Sequence, residues 1–289
     1  MKEQKVIYYK DELNDEFSEA KIEPREIDEH YKYIHKNPIW NICSYLVQNV
    51  FSIPIKVGYA KIKFKFKVMG KEKLSPYKKQ GYFIYGNHTQ AFGDTLFISN
   101  AVYPKKNFLI VNPENVSMKF LGNFVQMLGA IPIPTKRSGM KNFLEAICDK
   151  IKKGYSVTIF PEAHIWPYYT KIRPFKSVSF KYPVELNTPV FCATNTYQSY
   201  KTKLGGKNND KIQIVMYIDG PFFPDMNLNP KERKEDLRNK VYEAMCERSK
   251  NSDIEFIKYC QKGRGILTVP LKKLYANIAQ LVEQRIRNP

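Results

Sequence analysis

The central part of the chain alternates short apolar runs with segments of helical periodicity, and this alternation limits the fold more than any other feature. The strand-like runs are residues 81–86 (GYFIYG), 155–160 (YSVTIF), 189–197 (PVFCATNTY) and 211–219 (KIQIVMYID). Apolar positions at helical spacing occupy residues 116–128, 142–153 and 230–250. Such alternation predicts an α/β fold in which helices flank a central mixed sheet. Loops at the carboxyl ends of the strands are then expected to carry the chemistry.

Residues 39–55 (IWNICSYLVQNVFSIPI) carry no formal charge. They are too few to cross a bilayer, because a spanning helix needs about 20 apolar residues. Their apolar positions recur at spacings of three and four, which predicts an amphipathic helix. The polar side chains on the other side are Asn41, Ser44, Gln48 and Ser52. Two interpretations fit: a core helix packed on its own domain, or a helix in a membrane interface with Trp40 and Tyr45 near the headgroups.

The next segment, residues 61–68 (KIKFKFKV), alternates lysine with apolar residues and therefore predicts a half-buried strand. A row of lysines on an edge strand often serves only to prevent edge-to-edge pairing. Beside an interfacial helix it has a second use, since each lysine near an anionic leaflet contributes on the order of 1 kcal/mol.

The net charge of the chain is +19, which implies a partner with negative charge: nucleic acid, an anionic membrane surface or an acidic cofactor. The basic residues are spread along the chain without a nucleic-acid recognition motif, and nucleic-acid binding would leave the apolar helix unexplained. We therefore expect an anionic membrane surface and no nucleic acid. The cysteines are odd in number and lack CxxC spacing, which suggests neither disulfides nor a zinc site and favours a cytoplasmic setting. The first residues lack the apolar segment of a signal peptide.

One histidine, His88, follows a predicted strand in the stretch GNHTQAFGD, and Asp94 follows it after a turn. A carboxylate that accepts from one imidazole nitrogen fixes the tautomer and leaves the other nitrogen free to take a proton. No GxSxG elbow and no recognisable cysteine nucleophile is present, so such a base would activate a substrate hydroxyl. Taken alone, a pair at this spacing is more often structural than catalytic. The histidines also have no metal-ligand spacing, so no metal is predicted.

Four stretches that occur in order favour the catalytic interpretation of His88 and Asp94, because together they resemble the glycerolipid acyltransferase family. They are NHTQAFGD, GAIPIPTKR (129–137), FPEAHI (160–165) and TPVFCATN (188–195). The resemblance covers about residues 61–220 and implies that His88 is the general base for the acceptor hydroxyl and that Asp94 orients it. It also implies that the loop of Glu162 helps to bind the acceptor, with Asn87 as a further substrate-binding candidate. The amphipathic segment before this region agrees with the membrane binding that is common in the family.

The sequence departs from the family pattern in three places. Five residues instead of four separate His88 from Asp94, so the loop must bulge by one residue. In the FPEGTR motif, Ile165 replaces the arginine whose guanidinium would hold a phosphate. In GAIPIPTKR, strict register puts Thr135 at the arginine position, with Lys136 and Arg137 just beyond it. These three residues and Arg173 are the candidates to replace the lost contact.

We therefore expect a peripheral membrane acyltransferase on the cytoplasmic face, with residues 1–37 as a charged extension and 38–60 as an interfacial helix. Residues 61–250 would form the acyltransferase domain, and 251–289 a basic helical segment. The acyl donor would be the thioester of acyl-CoA or acyl carrier protein, with no other cofactor. The acceptor would be a lysophospholipid such as 1-acylglycerol-3-phosphate. Glycerol 3-phosphate or a lysoglycolipid as acceptor, and a non-catalytic lipid-binding relative, remain as alternatives.

Overall fold

The computed structural model describes residues 4–17, 22–91, 93–118, 121–204 and 207–262. Within them, a seven-stranded mixed sheet has the order β2-β8-β7-β3-β6-β4-β5. Its strands are β2 (Lys67–Met69), β3 (Tyr82–Gly86), β4 (Asn107–Val111), β5 (Ala130–Pro132), β6 (Ser156–Ile159), β7 (Val190–Leu204) and β8 (Lys207–Phe222). Strands β7, β3, β6, β4 and β5 are parallel, whereas β8 runs antiparallel to β7 and β2 runs parallel to β8. The predicted α/β fold with a central mixed sheet is confirmed.

Helices cover both faces of the sheet, as the alternation of buried side chains along β3 requires. Phe83 and Tyr85 face a core that includes residues of α6 and α8, whereas Tyr82 and Ile84 face a core that includes residues of α3. The helices after residue 90 are α3 (Gly93–Val102), α4 (Glu114–Ser117), α5 (Gly122–Met127), α6 (Met140–Lys152), α7 (Lys181–Glu185) and α8 (Pro230–Ser249). The single helix predicted over 116–128 is instead the pair α4 and α5, because Met118 is extended and ends α4.

The predicted helix before the domain is present as one helical stretch from Pro38 to Lys63. It consists of α1 (Pro38–Leu46), a π-helical turn (Val47–Phe51), α2 (Ser52–Gly58) and a second π-helical turn (Tyr59–Lys63). Asn37 caps its start by accepting from the Ile39 amide at 2.8 Å. Pro54 lacks an amide hydrogen and its ring crowds the preceding turn, so the wider turn just before it relieves that conflict.

The prediction of a strand over residues 61–68 is wrong. The helix continues to Lys63, and only Lys67–Met69 is extended. Ile62 is 85% exposed and therefore does not share a buried face with Phe64. Phe64 and Phe66 instead both pack on Phe97 of α3, with ring centroids 5.8 and 4.6 Å away. The strand is confined to Lys67–Met69 because the helix runs on to Lys63 and Lys65 then has a left-handed backbone, with a φ of 43°. Lys61 and Lys63 therefore lie on the helix, and the lysines do not form the expected row on one strand face.

The charged extension is packed onto the domain where the structure describes it. Strand β1 (Lys5–Tyr9) pairs in parallel with β9 (Ile257–Gln261) in a separate two-stranded sheet. Residues 22–37 then follow the outer edge of the large sheet, where the Tyr33 hydroxyl donates to the Pro132 carbonyl at 2.9 Å. Strand β9 lies inside the segment predicted to be helical, which corrects that prediction for 257–261. The rest of the predicted C-terminal helix, residues 263–289, lies outside the described residues.

Candidate active site

His88 and Asp94 meet at the carboxyl end of β3, the strand between β6 and β7. The Nδ1 atom of His88 lies 2.9 Å from Oδ2 of Asp94. The Asp94 side chain is fully buried in the first turn of α3, whereas 15% of the His88 side chain is exposed. A buried carboxylate against one ring nitrogen and partial exposure of the ring are what an oriented general base requires.

The loop between these residues accommodates its additional residue by folding around the carboxylate. Oδ2 of Asp94 accepts from the amides of Thr89 at 2.7 Å and Gln90 at 2.8 Å. The Asp94 amide in turn donates to the Gln90 carbonyl at 3.3 Å. The five-residue spacing therefore keeps the histidine–aspartate contact, because backbone amides close the turn on the same oxygen that His88 contacts.

Aromatic packing fixes the plane of the His88 ring. The ring stacks on Phe160, which follows β6, with centroids 4.5 Å apart and planes 12° apart. Phe160 reaches this position because Gly86 has no side chain: a Cβ there would lie 2.7 Å from the Phe160 ring. The His88 carbonyl also accepts from the Trp166 amide at 3.1 Å, so the FPE loop holds the histidine from two sides.

Glu162 of the FPE loop holds the His88 backbone. Its carboxylate accepts from the amides of His88 and Arg173, both at 3.0 Å, and lies 3.5 Å from the Arg173 guanidinium. Burial raises the pKa of Glu162, while the Arg173 charge and the amide hydrogen bonds act in the opposite direction. The carboxylate therefore supports the backbone of His88, and both of its oxygens accept hydrogen bonds inside the protein.

Arg173 is also turned into the protein rather than toward the acceptor. It is 1% exposed, and its guanidinium donates to the carbonyls of Glu12, Glu162 and His164 and lies over the Trp166 ring. This placement does not support the prediction that Arg173 binds the acceptor, because its donors are directed to backbone carbonyls of the protein. The guanidinium instead joins the FPE loop to the N-terminal extension.

Asn87, predicted to bind substrate, is likewise buried and engaged. Its amide nitrogen donates to the Asn195 carbonyl at 3.0 Å, and its amide oxygen accepts from the Asn195 amide at 2.8 Å. These two bonds continue the pairing of β3 with β7 by one more residue. The structure thus gives Asn87 a bracing position and not a place on an open surface.

The candidates after β5 lie at the far side of the same sheet edge. The Thr135 hydroxyl accepts from the Ile27 amide at 2.8 Å, and Lys136 lies 3.9 Å from Glu26. Arg137 is exposed at the start of a 3-10 turn. Strand β5 is three positions from β3, or about 14 Å at about 4.8 Å per strand. The structure therefore does not bring Thr135, Lys136 or Arg137 together with His88.

The N-terminal extension contacts the FPE loop at the positions where the loop departs from the family pattern. Glu16 accepts from the Ile165 amide at 3.3 Å and lies 2.7 Å from Nδ1 of His164. The Trp166 indole donates to the Asp15 carbonyl at 2.8 Å. A carboxylate of the extension thus contacts the two residues, His164 and Ile165, that stand in place of the threonine and arginine of the motif, and nothing in the local sequence indicated this contact.

Sequence reasoning also missed two residues of β7 that reach the loop of His88. Asn195 donates to Oδ1 of Asp94 at 2.9 Å, and the Tyr197 hydroxyl donates to Thr89 at 2.7 Å. Their two-residue spacing on one predicted strand, at the end of the fourth family stretch, is the signal that could have identified them. In the described part of the chain, no cluster of three or more potential metal ligands occurs.

Comparisons with known proteins agree with this arrangement. The family described as Acyltransferase matches residues 65–194, a range that contains His88, Asp94 and Glu162. Among solved structures, the fold is similar to the 1-acyl-sn-glycerophosphate acyltransferase PlsC from Thermotoga maritima, with a TM-score of 0.50 and 16% identity over 76% of this chain and 85% of that chain. No curated protein sequence matches the chain. Residues 65–194 are therefore similar to the Acyltransferase family, and the fold is that of the PlsC structure.

Proposed function

We propose that the protein transfers a fatty acyl group from an acyl thioester to a hydroxyl group of a lysophospholipid at a membrane surface. The observation that carries this proposal is the contact of His88 with the buried Asp94 at 2.9 Å, on a ring that is still partly exposed. A lipid-binding protein without catalysis has no need for an oriented base at this point.

The reaction follows from that geometry in two steps. The unprotonated nitrogen of His88, Nε2, takes the proton of the acceptor hydroxyl as the oxygen attacks the thioester carbonyl. The resulting tetrahedral oxyanion collapses, the carbon–sulfur bond breaks, and the departing thiolate takes the proton from the imidazolium. Asp94 holds the tautomer throughout and stabilises the transient positive charge on the ring.

The helical stretch 38–63 supports the membrane part of the proposal, because its apolar side faces outward. Ile55 is 66% exposed, whereas Gln48 is only 5% exposed. Ser44 and Gln48 both donate to the Met127 carbonyl at 2.8 Å, so the polar side of the helix is the one that packs on the domain. The exposed apolar side chains of the helix are Ile39, Ile42, Tyr45, Leu46, Val50, Phe51, Ile55 and Ile62.

A contiguous apolar stripe on a helix that packs through its polar side favours a membrane interface over a core position. Positive charge around the stripe favours an anionic leaflet, since Lys61 and Lys63 are exposed near its end. In the described part of the chain, every helix falls short of the length and apolarity needed to cross a bilayer. The outward-facing apolar side chains and the exposed lysines are the grounds on which we propose a peripheral protein on the cytoplasmic face of a membrane.

A second acceptor class is favoured by one observation. The Glu16 carboxylate contacts the FPE loop at Ile165, and the buried Arg173 guanidinium is directed away from solvent. In 1-acylglycerol-3-phosphate, the phosphate is attached to the carbon next to the one that carries the accepting hydroxyl. An acceptor without a phosphate at that position, such as a lysoglycolipid, would avoid the negative charge of Glu16.

The proposal is tested by an acceptor screen with purified protein, liposomes and a labelled acyl thioester, with acyl-CoA and acyl carrier protein as donors. We expect the product to be the diacyl lipid of one acceptor class.

His88→Ala should lower the formation of this product by about 100- to 10,000-fold, the usual contribution of a general base. The matched control is His30→Ala, because that histidine is exposed and lies on the extension along the outer edge of the sheet. Activity of the His88 variant near the wild-type level would reject the assignment of the base, and lipid binding without any acyl transfer would favour the non-catalytic relative.

A further inference from the structure

Asn195 lies in β7 and contacts the side of Asp94 that His88 does not. Oδ2 of Asp94 accepts from the His88 ring and from the Thr89 and Gln90 amides, whereas Oδ1 accepts from the Asn195 side chain at 2.9 Å. Asn195 is 2% exposed, so this bond is shielded from water. Among the described residues, the side-chain amide of Asn195 donates to Oδ1. Loss of this donor would leave one oxygen of a buried carboxylate without a partner.

The position of Asn195 is itself fixed by the fold. Its amide and carbonyl are clamped by the Asn87 side chain at 2.8 and 3.0 Å, and it stands opposite Met216 in the antiparallel pairing of β7 with β8. Two residues further along β7, the Tyr197 hydroxyl donates to Thr89 and accepts from Gln90. Asn195 and Tyr197, which share one face of β7, therefore both support the loop of His88. Of these two residues, Asn195 is the one that donates to the carboxylate.

We propose that Asn195 is a positioning residue of the acyl-transfer reaction, which locks the orientation of the Asp94 carboxylate. This inference rests on the proposed function of His88 as the base. A carboxylate held on both oxygens cannot rotate away from the imidazole, so Nδ1 keeps its proton and Nε2 stays available to the acceptor. Asn195 acts through Asp94 and does not contact the reacting atoms.

The first test replaces Asn195 by Leu, which has a similar volume and no donor. We expect kcat to fall by about 10- to 100-fold, the range typical of lost hydrogen bonds behind an active-site ligand, with KM for both substrates unchanged. The pH at which kcat falls on the acid side of the pH–rate profile should also change. The matched control is Thr194→Val, because Thr194 is an adjacent buried polar residue on the other face of β7. This control should leave kcat and the pH profile as in the wild type.

The second test uses Asn195→Asp, which keeps the shape and therefore the fold. At low pH, one proton is shared between the two facing carboxyl groups and restores a donor to Asp94; at high pH, both are ionised and repel each other. The activity of this variant relative to wild type should therefore decrease as the pH rises. A merely structural role would give a loss that does not depend on pH.

The shared Nδ1 proton of His88 provides a readout without substrate. Its NMR resonance should move upfield in Asn195→Leu and stay in place in Thr194→Val. If Asn195→Leu is active with an unchanged pH profile while His88→Ala is inactive, the role of Asn195 is overturned and the proposed function stands. If His88→Ala is itself active, the proposed function is rejected, whatever the result for Asn195→Leu.

Discussion

The Arg173 guanidinium lies 3.5 Å from the Glu162 carboxylate, and the same carboxylate accepts from the His88 amide at 3.0 Å. The arginine side chain is fully buried and the glutamate side chain almost so. A buried charge pair thus supports the backbone of the proposed base from behind. Removal of one partner leaves the other charge buried and uncompensated, which costs far more than the loss of a surface ion pair.

We expect Arg173→Met to lower the free energy of unfolding by about 3–5 kcal/mol, the cost of an unpaired buried charge. Because the Glu162 carboxylate loses its charged partner and then holds the His88 amide less firmly, acyl transfer should decrease by the same factor for phosphorylated and unphosphorylated acceptors. Denaturant titration and kinetics with two lysolipids of matched chain length would measure both effects.

The control for this prediction is the double variant Arg173→Met with Glu162→Gln. It removes both charges, so the free energy of unfolding should recover part of the loss seen with Arg173→Met alone. A loss of activity confined to the phosphorylated acceptor would contradict the bracing role and return Arg173 to the acceptor site.

Much of this architecture was predictable from local sequence, since strands β3, β6, β7 and β8 coincide with apolar runs and α6 and α8 with helical spacing. The contact of His88 with Asp94 was predictable from the order of four motif stretches. The contacts of Glu16 and Asn195 were not, because both join residues more than a hundred positions apart and depend on how β7 and the extension pack. The strand predicted over 61–68 failed for another reason: the helix that begins at Pro38 continues to Lys63, and the left-handed Lys65 separates it from the short strand Lys67–Met69.

The helical stretch 38–63 gives a prediction about membrane binding. Ile55→Ser should weaken binding to anionic vesicles by about 10-fold or more, because insertion of such a side chain contributes about 1.5–3 kcal/mol. The unfolding free energy should change little, since Ile55 is exposed. Vesicle sedimentation and thermal denaturation would measure the two quantities.

Val178→Ser is the matched control for Ile55→Ser. Val178 is about as exposed as Ile55 but lies in the 3-10 turn before α7, outside the helical stretch. It should bind vesicles like the wild type. Equal weakening in both variants would show that general surface hydrophobicity, and not the stripe on the helix, determines binding.

Asp219 at the end of β8 gives a prediction about pH and stability. Burial alone would raise the pKa of Asp219, but hydrogen bonds from Arg248 and Lys73 outweigh it and lower the pKa below its ordinary value of 3.8. A lowered pKa means that the contribution to stability is complete above the ordinary value and is lost as the pH falls through the lowered one. Asp219→Asn should therefore destabilise the protein at neutral pH, by about 1–3 kcal/mol, and much less at pH values below the lowered pKa of Asp219.

Denaturation of both proteins across the acid range would test this. The control is Glu247→Gln, since that glutamate pairs with Lys250, both side chains are 71% exposed, and surface pairs of this kind contribute little. A destabilisation by Asp219→Asn that is the same at every pH would show that the carboxylate charge is not what stabilises this corner of the sheet.

The contact of Glu16 with the FPE loop gives the last prediction, which concerns the acceptor. Glu16 pairs with His164 and accepts from the Ile165 amide, so its charge lies beside the loop that also holds His88. Glu16→Lys replaces that negative charge by a positive one. The use of a phosphorylated lysolipid should then rise by about 5-fold relative to the unphosphorylated one, as expected for a partly exposed pair that contributes roughly 1 kcal/mol. Glu26→Lys makes the same change on the same extension but near Lys136, at the far edge of the sheet, and should leave the ratio unchanged. An equal rise in both variants would mean that net charge at the membrane, and not the position of Glu16, sets the preference, whereas a rise in Glu16→Lys alone would identify this carboxylate as the group that selects against phosphate.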